Sequence, residues 1–199
     1  NVIQAVKQRD THKNIMLPGF GVGGYCLPKD SYLADWSLKH FFESHENLSL
    51  SCKAIQTNDN APLFVLDKIR SLFGKLEELR IALYGITYIA DVADTRYSPS
   101  ETFTREAEKN GAKVYPIDPL VDFWHELERT VLNEIKEMPQ DTNVLVFAVK
   151  HTNIRALDLR LLLAQFPNLA GVVDANHVLT EKQVSDIKQS NIDFYHLGH

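Results

Sequence analysis

Cysteine is scarce in this chain. Two residues in 199, Cys26 and Cys52, are too few for a disulfide framework and do not form a CxxC metal motif. Free thiols belong in a reducing compartment, so a cytoplasmic location is expected. The eight histidines show no zinc-ligand spacing, and no metal site is expected. No apolar run approaches the ~20 residues of a membrane span, so no membrane partner is expected. The opening Asn1-Val2-Ile3-Gln4 lacks the basic start and apolar core of a signal peptide. It also lacks an initiator Met, so the chain is expected to be a piece of a longer protein. Basic charge is in deficit: 21 Lys and Arg face 26 Asp and Glu, a formal charge of -5. A nucleic-acid partner, which requires a basic face to neutralise phosphates, is therefore not expected. There is no internal repeat and no low-complexity segment.

What is present is a soluble globular mixture, 44% apolar and 24% charged. Residues 2–8 read as the end of a helix. A glycine-rich stretch follows, with Gly19, Gly21, Gly23 and Gly24 in six residues. Such a stretch forms a loop rather than an element interior. Pro28 suits a first helical position, and the helix is expected to run to about Glu43. Helical pattern resumes over 48–73. Pro62 breaks it near Asn58-Asp59-Asn60, and Gly74 is placed to cap it. A domain boundary is expected there, dividing residues 1–74 from 75–199.

Beyond Gly74 the pattern alternates. Strands are expected at 79–85, 114–117, 143–149, 171–174 and 193–195. Helices are expected after Ser98, whose Ser98-Pro99-Ser100-Glu101 reads as a capping box, and over about 123–136, 157–165 and 181–189. Alternating β and α at this spacing predict an α/β fold: a helical segment followed by a doubly wound, Rossmann-like parallel sheet.

Cys26 is the candidate reactive centre. It lies between the glycine loop and a predicted helix start, where backbone N–H groups favour an anion and so a thiolate. Lys29 adds positive charge, and Asp30 falls one helical turn on, placed to orient water or move a proton. A buried structural thiol is the alternative from spacing alone. Cys52, with Leu48 and Ile55 on a helical face, is expected in the core. Gly19-x-Gly21-x-x-Gly24 also matches a dinucleotide fingerprint, but no strand precedes it and the helix begins after the glycines, so that reading is rejected.

The run from Pro18 to Asp30, Pro-Gly-Phe-Gly-Val-Gly-Gly-Tyr-Cys-Leu-Pro-Lys-Asp, resembles the catalytic-cysteine loop of the UDP-glucose/GDP-mannose dehydrogenase superfamily. Residues 85–99, with Gly85, Tyr88, Asp94, Thr95, Arg96, Ser98 and Pro99, resemble a second block of that family. Asn58-Asp59-Asn60-Ala61-Pro62 resembles a third. The blocks fall in the family's order and span most of the chain.

The resemblance implies a nucleotide-sugar 6-dehydrogenase. Residues 1–74 would be part of a central helical dimerisation domain carrying the cysteine loop, and 75–199 a UDP-sugar-binding Rossmann-like domain. NAD would be the cofactor, bound mainly by an amino-terminal domain absent from this chain. The UDP-sugar would be the substrate and a homodimer through the central helices the assembly, serving polysaccharide synthesis. The implied chemistry is a two-step oxidation of the sugar's C6 hydroxyl through a thiohemiacetal and a thioester on Cys26. Residue by residue, Asp30 matches the family's water- or proton-handling Asp. Lys29 matches a Lys near cofactor and substrate, and Arg96 an Arg that reaches the cofactor, with a surface ion pair to Asp94 as the alternative for Arg96. Leu17, Phe20, Gly21, Gly23 and Tyr88 match positions around the substrate. The chain departs from the family at Ile89, where Lys is usual, at Asp174-Ala175-Asn176-His177, which lacks an Arg, and at Tyr25. A non-catalytic nucleotide-sugar-binding or dimerisation module is the alternative reading, and the isolated chain is expected to be inactive.

Overall fold

The computed structural model describes residues 2–42 and 45–197. Four helices come first: α1 (Val2–Lys7), α2 (Asp30–His40), α3 (Ser49–Asp59) and α4 (Ala61–Phe73). Pro62 sits in the first turn of α4, where its missing N–H costs nothing, and Gly74 ends that helix at φ 97°. The expected break thus falls at Asn60, between α3 and α4. Helix α2 ends at His40, with Phe41 as its C-cap residue, short of the expected end near Glu43, which itself lies outside the described residues.

A parallel five-stranded sheet follows. Its strands are β1 (Arg80–Tyr84), β2 (Lys113–Ile117), β5 (Val144–Phe147), β6 (Gly171–Asp174) and β7 (Asp193–His196), in the order β2-β1-β5-β6-β7. Helices α5 (Pro99–Lys109), α6 (Leu159–Leu163) and α7 (Glu181–Lys188) lie between strands. The α/β fold read from the pattern is the fold observed. Side chains alternate across the sheet as strand geometry requires. Ile81 and Leu83 join Val65, Leu66 and Ile69 of α4 and Phe103 and Ala107 of α5 on one face. Ala82 and Tyr84 join Leu159, Leu163 and Ile187 of α6 and α7 on the other. Helix α4, before the expected boundary in sequence, therefore packs into the core of the sheet.

Two local expectations are corrected. Residues 123–136 are not a helix. They form a short antiparallel pair, β3 (Phe123–Trp124) with β4 (Arg129–Thr130), and 3-10 turns at His125–Leu127 and Ile135–Glu137. The apolar spacing mimics a helix, but the backbone is claimed by tertiary pairing. Leu132 N–H donates to Pro116 (3.0 Å), Asp118 N–H to Leu132 (2.8 Å), and Val131 N–H to Asp122 (3.0 Å). Tertiary pairing overrides a weak helical preference. At α5 only half of the expected capping box forms. Ser98 Oγ accepts from Ser100 N–H at 3.2 Å, while Glu101 turns to Arg105 Nε at 2.7 Å. The box at Thr180 and Gln183 of α7 is complete.

The chain leaves β1 toward β2 and leaves β5 toward β6 on the opposite side, so the strand order reverses between β1 and β5. At such a reversal the loops after the two central strands part at the sheet's carboxyl edge. The residues there are Gly85 to Tyr88 after β1 and Val149 to His151 after β5. The glycine loop lies across this edge: Phe20 enters the sheet's core at 2% exposure, its ring 5.5 Å from that of Phe103. Phe20→Ala is expected to cost roughly 3–5 kcal/mol, the range for a large aromatic leaving a packed core, measured by urea denaturation. A loss under about 1 kcal/mol would show that the loop is not anchored by this ring.

Candidate active site

The segment around Cys26 is fixed by its neighbours in the chain. Helix α2 begins at Asp30 with Lys29 as its N-cap residue, not at Pro28 as the proline signal predicted. The N–H groups of Lys29 and Asp30 donate to the Cys26 carbonyl at 3.2 and 3.0 Å. Those two amides therefore serve the cysteine's backbone carbonyl rather than its sulfur. The charge beside the thiol is Lys29. Its ammonium lies 2.8 Å from Asp30 Oδ1 and 4.6 Å from the Tyr25 ring centroid. The hydrogen bond to Asp30 raises the Lys29 pKa above the usual value, and Tyr25 and Cys26 push the same way.

Cys26 is exposed. Its neighbours Tyr25, Pro28 and Lys29 line a cavity of about 600 Å³, with Asn58, Tyr97 and Arg105 among the other walls. A second cavity of about 340 Å³ shares Val22, Pro28 and Asn58 and adds Leu27, Ser31 and Ile55. Cys52 is half-buried rather than in the core, its thiol 3.9 Å from the Ser31 carbonyl between α3 and α2. Ile55 is the only buried residue of α3, so that helix offers too little apolar cover to seal a thiol.

The glycines fit closely against their own chain. A Cβ on Gly21, at φ 119°, would press on Pro99 at 3.2 Å and on the Asn58 carbonyl at 3.3 Å. One on Gly23 would overlap the Tyr97 carbonyl and come within 2.9 Å of Tyr88 Cβ. Gly24, at φ 86°, sits on the Tyr88 ring, and Gly19 leaves no room for a side chain against Asn176. Asn58 clamps the loop from the other side: it accepts from Val22 N–H at 2.7 Å and donates to the Val22 carbonyl at 2.8 Å. His177, at φ 52°, lies 3.1 Å from the Pro18 carbonyl.

The structure therefore brings Cys26, Lys29, Asp30, Gly21, Gly23 and Tyr88 into one region. Leu17 is half-buried at the loop's start. Phe20 is corrected as a substrate contact: its ring is in the core, so only its backbone faces the loop. Arg96 donates to the Asp94 carboxylate through three bonds of 2.9, 3.2 and 2.7 Å, and most of its side chain stays in solvent. That pairing holds the Asp94 carboxyl below the usual carboxylate range. Among the described residues no group of three or more His, Cys, Asp or Glu could hold a metal ion. No helix among them is long and apolar enough to cross a membrane.

Sequence reasoning missed the clamp by Asn58, although its segment had been singled out, because side-chain-to-loop bonds across 36 residues have no sequence period. It also missed His151 and Asp118. Only the position of His151, just after the predicted strand at 143–149, marked it.

A parallel sheet whose strand order reverses at β1 and β5, overlaid at its carboxyl edge by a glycine loop, is the architecture of nucleotide-binding α/β domains. Residues 82–181 match the profile of the UDP-glucose/GDP-mannose dehydrogenase family, UDP binding domain, and the chain belongs to this family. It is 29% identical over 187 residues to a UDP-N-acetyl-D-mannosamine dehydrogenase of Methanocaldococcus jannaschii, covering 92% of this chain and 40% of that protein. It is 36% identical over 126 residues to the protein of that name in Methanococcus maripaludis, 61% of this chain and 28% of that one. The fold matches that of an NDP-N-acetyl-D-galactosaminuronic acid dehydrogenase from Methanosarcina mazei at a TM-score of 0.82 and 21% identity, over all of this chain and 42% of that one. The chain thus spans less than half the length of these relatives.

Asn58→Ala is expected to destabilise the chain by about 1 kcal/mol, since the lost bonds are near solvent, and to speed hydrogen exchange at the Val22 amide. Unchanged exchange there would show that Asn58 does not hold the loop.

Proposed function

We propose that the full-length protein oxidises the C6 hydroxyl of a UDP-sugar to the carboxylate, using NAD and the Cys26 thiol. The observation that carries this reading is the exposed Cys26 beside Lys29, on a glycine bend docked at the carboxyl edge of a sheet that belongs to a UDP-binding family. The names of several relatives favour an N-acetylated hexosamine as the sugar.

The chemistry NAD supplies when bound is acceptance of a hydride from C6, once at each oxidation level. Lys29 and Arg96 fit its phosphates by charge, and a guanidinium fork suits that geometry. The cofactor is held mainly by parts of the protein outside these 199 residues. The chain's own residues handle the sugar. Cys26 sulfur adds to the C6 aldehyde and keeps the carbon attached as thiohemiacetal and then thioester. Lys29 stabilises negative charge on sulfur and on the C6 oxygen. Asp30, one turn from Cys26 and open to solvent, orients the water that releases the acid and restores the thiol. Gly21, Gly23, Leu17 and Tyr88 shape the sugar's surroundings, with the backbone of Phe20.

Residues 1–74 act as part of a helical dimerisation region and 75–199 as the UDP-sugar-binding unit. The support is an apolar surface left uncovered. No residue of α1 or α2 is buried, and Leu33, Trp36, Phe41, Phe42 and Phe64 are exposed. A second copy covering these helices makes a homodimer. A cytoplasmic setting agrees with the two free thiols.

The test uses full-length protein, NAD+ and a panel of UDP-sugars, with NADH absorbance as the readout. Acid formation is expected, reduced roughly a thousandfold or more in Cys26→Ala, and no turnover is expected from the 199-residue chain alone. Cys26 is expected to alkylate faster than Cys52 near pH 7. Equal, slow labelling together with no acid formed would favour a non-catalytic binding or dimerisation module. Separately, the 199-residue chain is expected to sediment as a dimer at high micromolar concentration; a monomer there would remove the dimer.

A further inference from the structure

His151 is almost wholly buried, 1% exposed, at the strand reversal. It carries none of the chemistry above, yet both ring nitrogens are engaged. The Asp91 N–H donates to Nδ1 at 3.1 Å, so Nδ1 presents a lone pair and the ring proton sits on Nε2. Nε2 lies 3.1 Å from Asp118 Oδ2 and donates to it. Asp118, itself fully buried, also accepts from Ile86 N–H at 2.9 Å and from Leu120 N–H at 3.0 Å. The Tyr84 ring meets the imidazole edge-on at 5.9 Å, and Thr87 Oγ1 lies 3.4 Å from Nε2.

What this arrangement holds is the segment after β1. Asp91 sits at φ 61°, in the left-handed region that Asp tolerates better than most residues, and its bonds fix it there. His151 takes its N–H, and Thr152 donates to its carboxylate from its amide (2.8 Å) and its hydroxyl. Those bonds from Thr152 hold the Asp91 carboxyl below its usual range. At the start of the segment, Asp118 takes Ile86 N–H. Between these anchors lies Tyr88, whose ring supports Gly24, two residues before Cys26. Tyr88 N–H donates to the Asp94 carbonyl (2.9 Å), and the Asp94 side chain holds Arg96.

We propose that His151 is a positioning residue. As a donor to Asp118 and an acceptor from Asp91, it fixes the segment from Ile86 to Asp91 so that Tyr88 supports the cysteine loop. The inference about turnover rests on the UDP-sugar dehydrogenase reading; the inference about the loop does not. His151 itself touches neither substrate nor sulfur in this assignment.

The test compares His151→Gln, which keeps one donor and one acceptor, with His151→Leu, which keeps bulk but neither. In full-length protein, His151→Leu is expected to raise KM for the UDP-sugar about tenfold with kcat changed less than about threefold. His151→Gln is expected to stay within about threefold of the native KM. Hydrogen exchange over residues 86–91 is expected to quicken in His151→Leu and to be largely restored in His151→Gln. If the Leu variant does not fold, Thr152→Val removes only the hydroxyl bond to Asp91 and should shift KM and exchange in the same direction by less. Equal damage from Leu and Gln, or a Leu variant with native KM and exchange, would overturn the proposal. If the native protein oxidises no UDP-sugar, the dehydrogenase reading fails, and the exchange comparison still decides whether His151 fixes the loop.

Discussion

The contact on which the site depends is the seating of the glycine loop on the carboxyl edge of the sheet. Phe20 anchors it by burial, a non-directional force that gives strength without fixing a register. Register comes from close backbone approach. Gly23 lies against the Tyr97 carbonyl and Gly24 on the Tyr88 ring, distances at which any side chain would force the loop away. Asn58 then satisfies both polar groups of Val22, so the bend does not leave its backbone unpaired. With the loop so held, Cys26 emerges at the surface next to Lys29.

The stiffness of this arrangement is unevenly distributed. The sheet and α4 and α5 form an apolar core in which Ile81, Leu83, Val65 and Phe103 are fully buried. By contrast α1 and α2 bury nothing in this chain, and α3 buries Ile55 alone. The cysteine loop connects these two regimes. Its geometry is set on the sheet side by packing and on the helical side by Asn58 and the α2 start. Lys29 and Asp30, on the less buried side, engage each other as a solvent-exposed pair, where Coulomb attraction is weak.

Much of the fold was legible because its signals are short-range or periodic. Pro62 and Gly74 marked the ends of α4 through their own backbone restrictions. Val144-Leu145-Val146-Phe147 marked a strand buried on both faces. Residues 123–136 misled for the same reason: Phe123, Leu127 and Val131 repeat at helical spacing, but the hydrogen bonds of Pro116 and Asp122 capture that backbone as extended structure. The start of α2 moved from Pro28 to Asp30 because a turn closed by the Cys26 carbonyl intervenes. Cys52 was placed too deep because burial depends on what covers a helix, and nothing local encodes that.

By itself the sequence determined the α/β alternation, the glycine bend, the candidate thiol with its neighbouring Lys and Asp, and the resemblance to a dehydrogenase family, since each is written in residue identity at short spacing. Only the tertiary structure decided that the Phe20 ring anchors the loop in the core, that the amides of Lys29 and Asp30 serve the Cys26 carbonyl, and that His151 joins Asp118 to Asp91. The reason is physical: these contacts turn on which groups meet in space, several of them 30 or more residues apart in the chain, and on which surfaces are covered once the chain has folded.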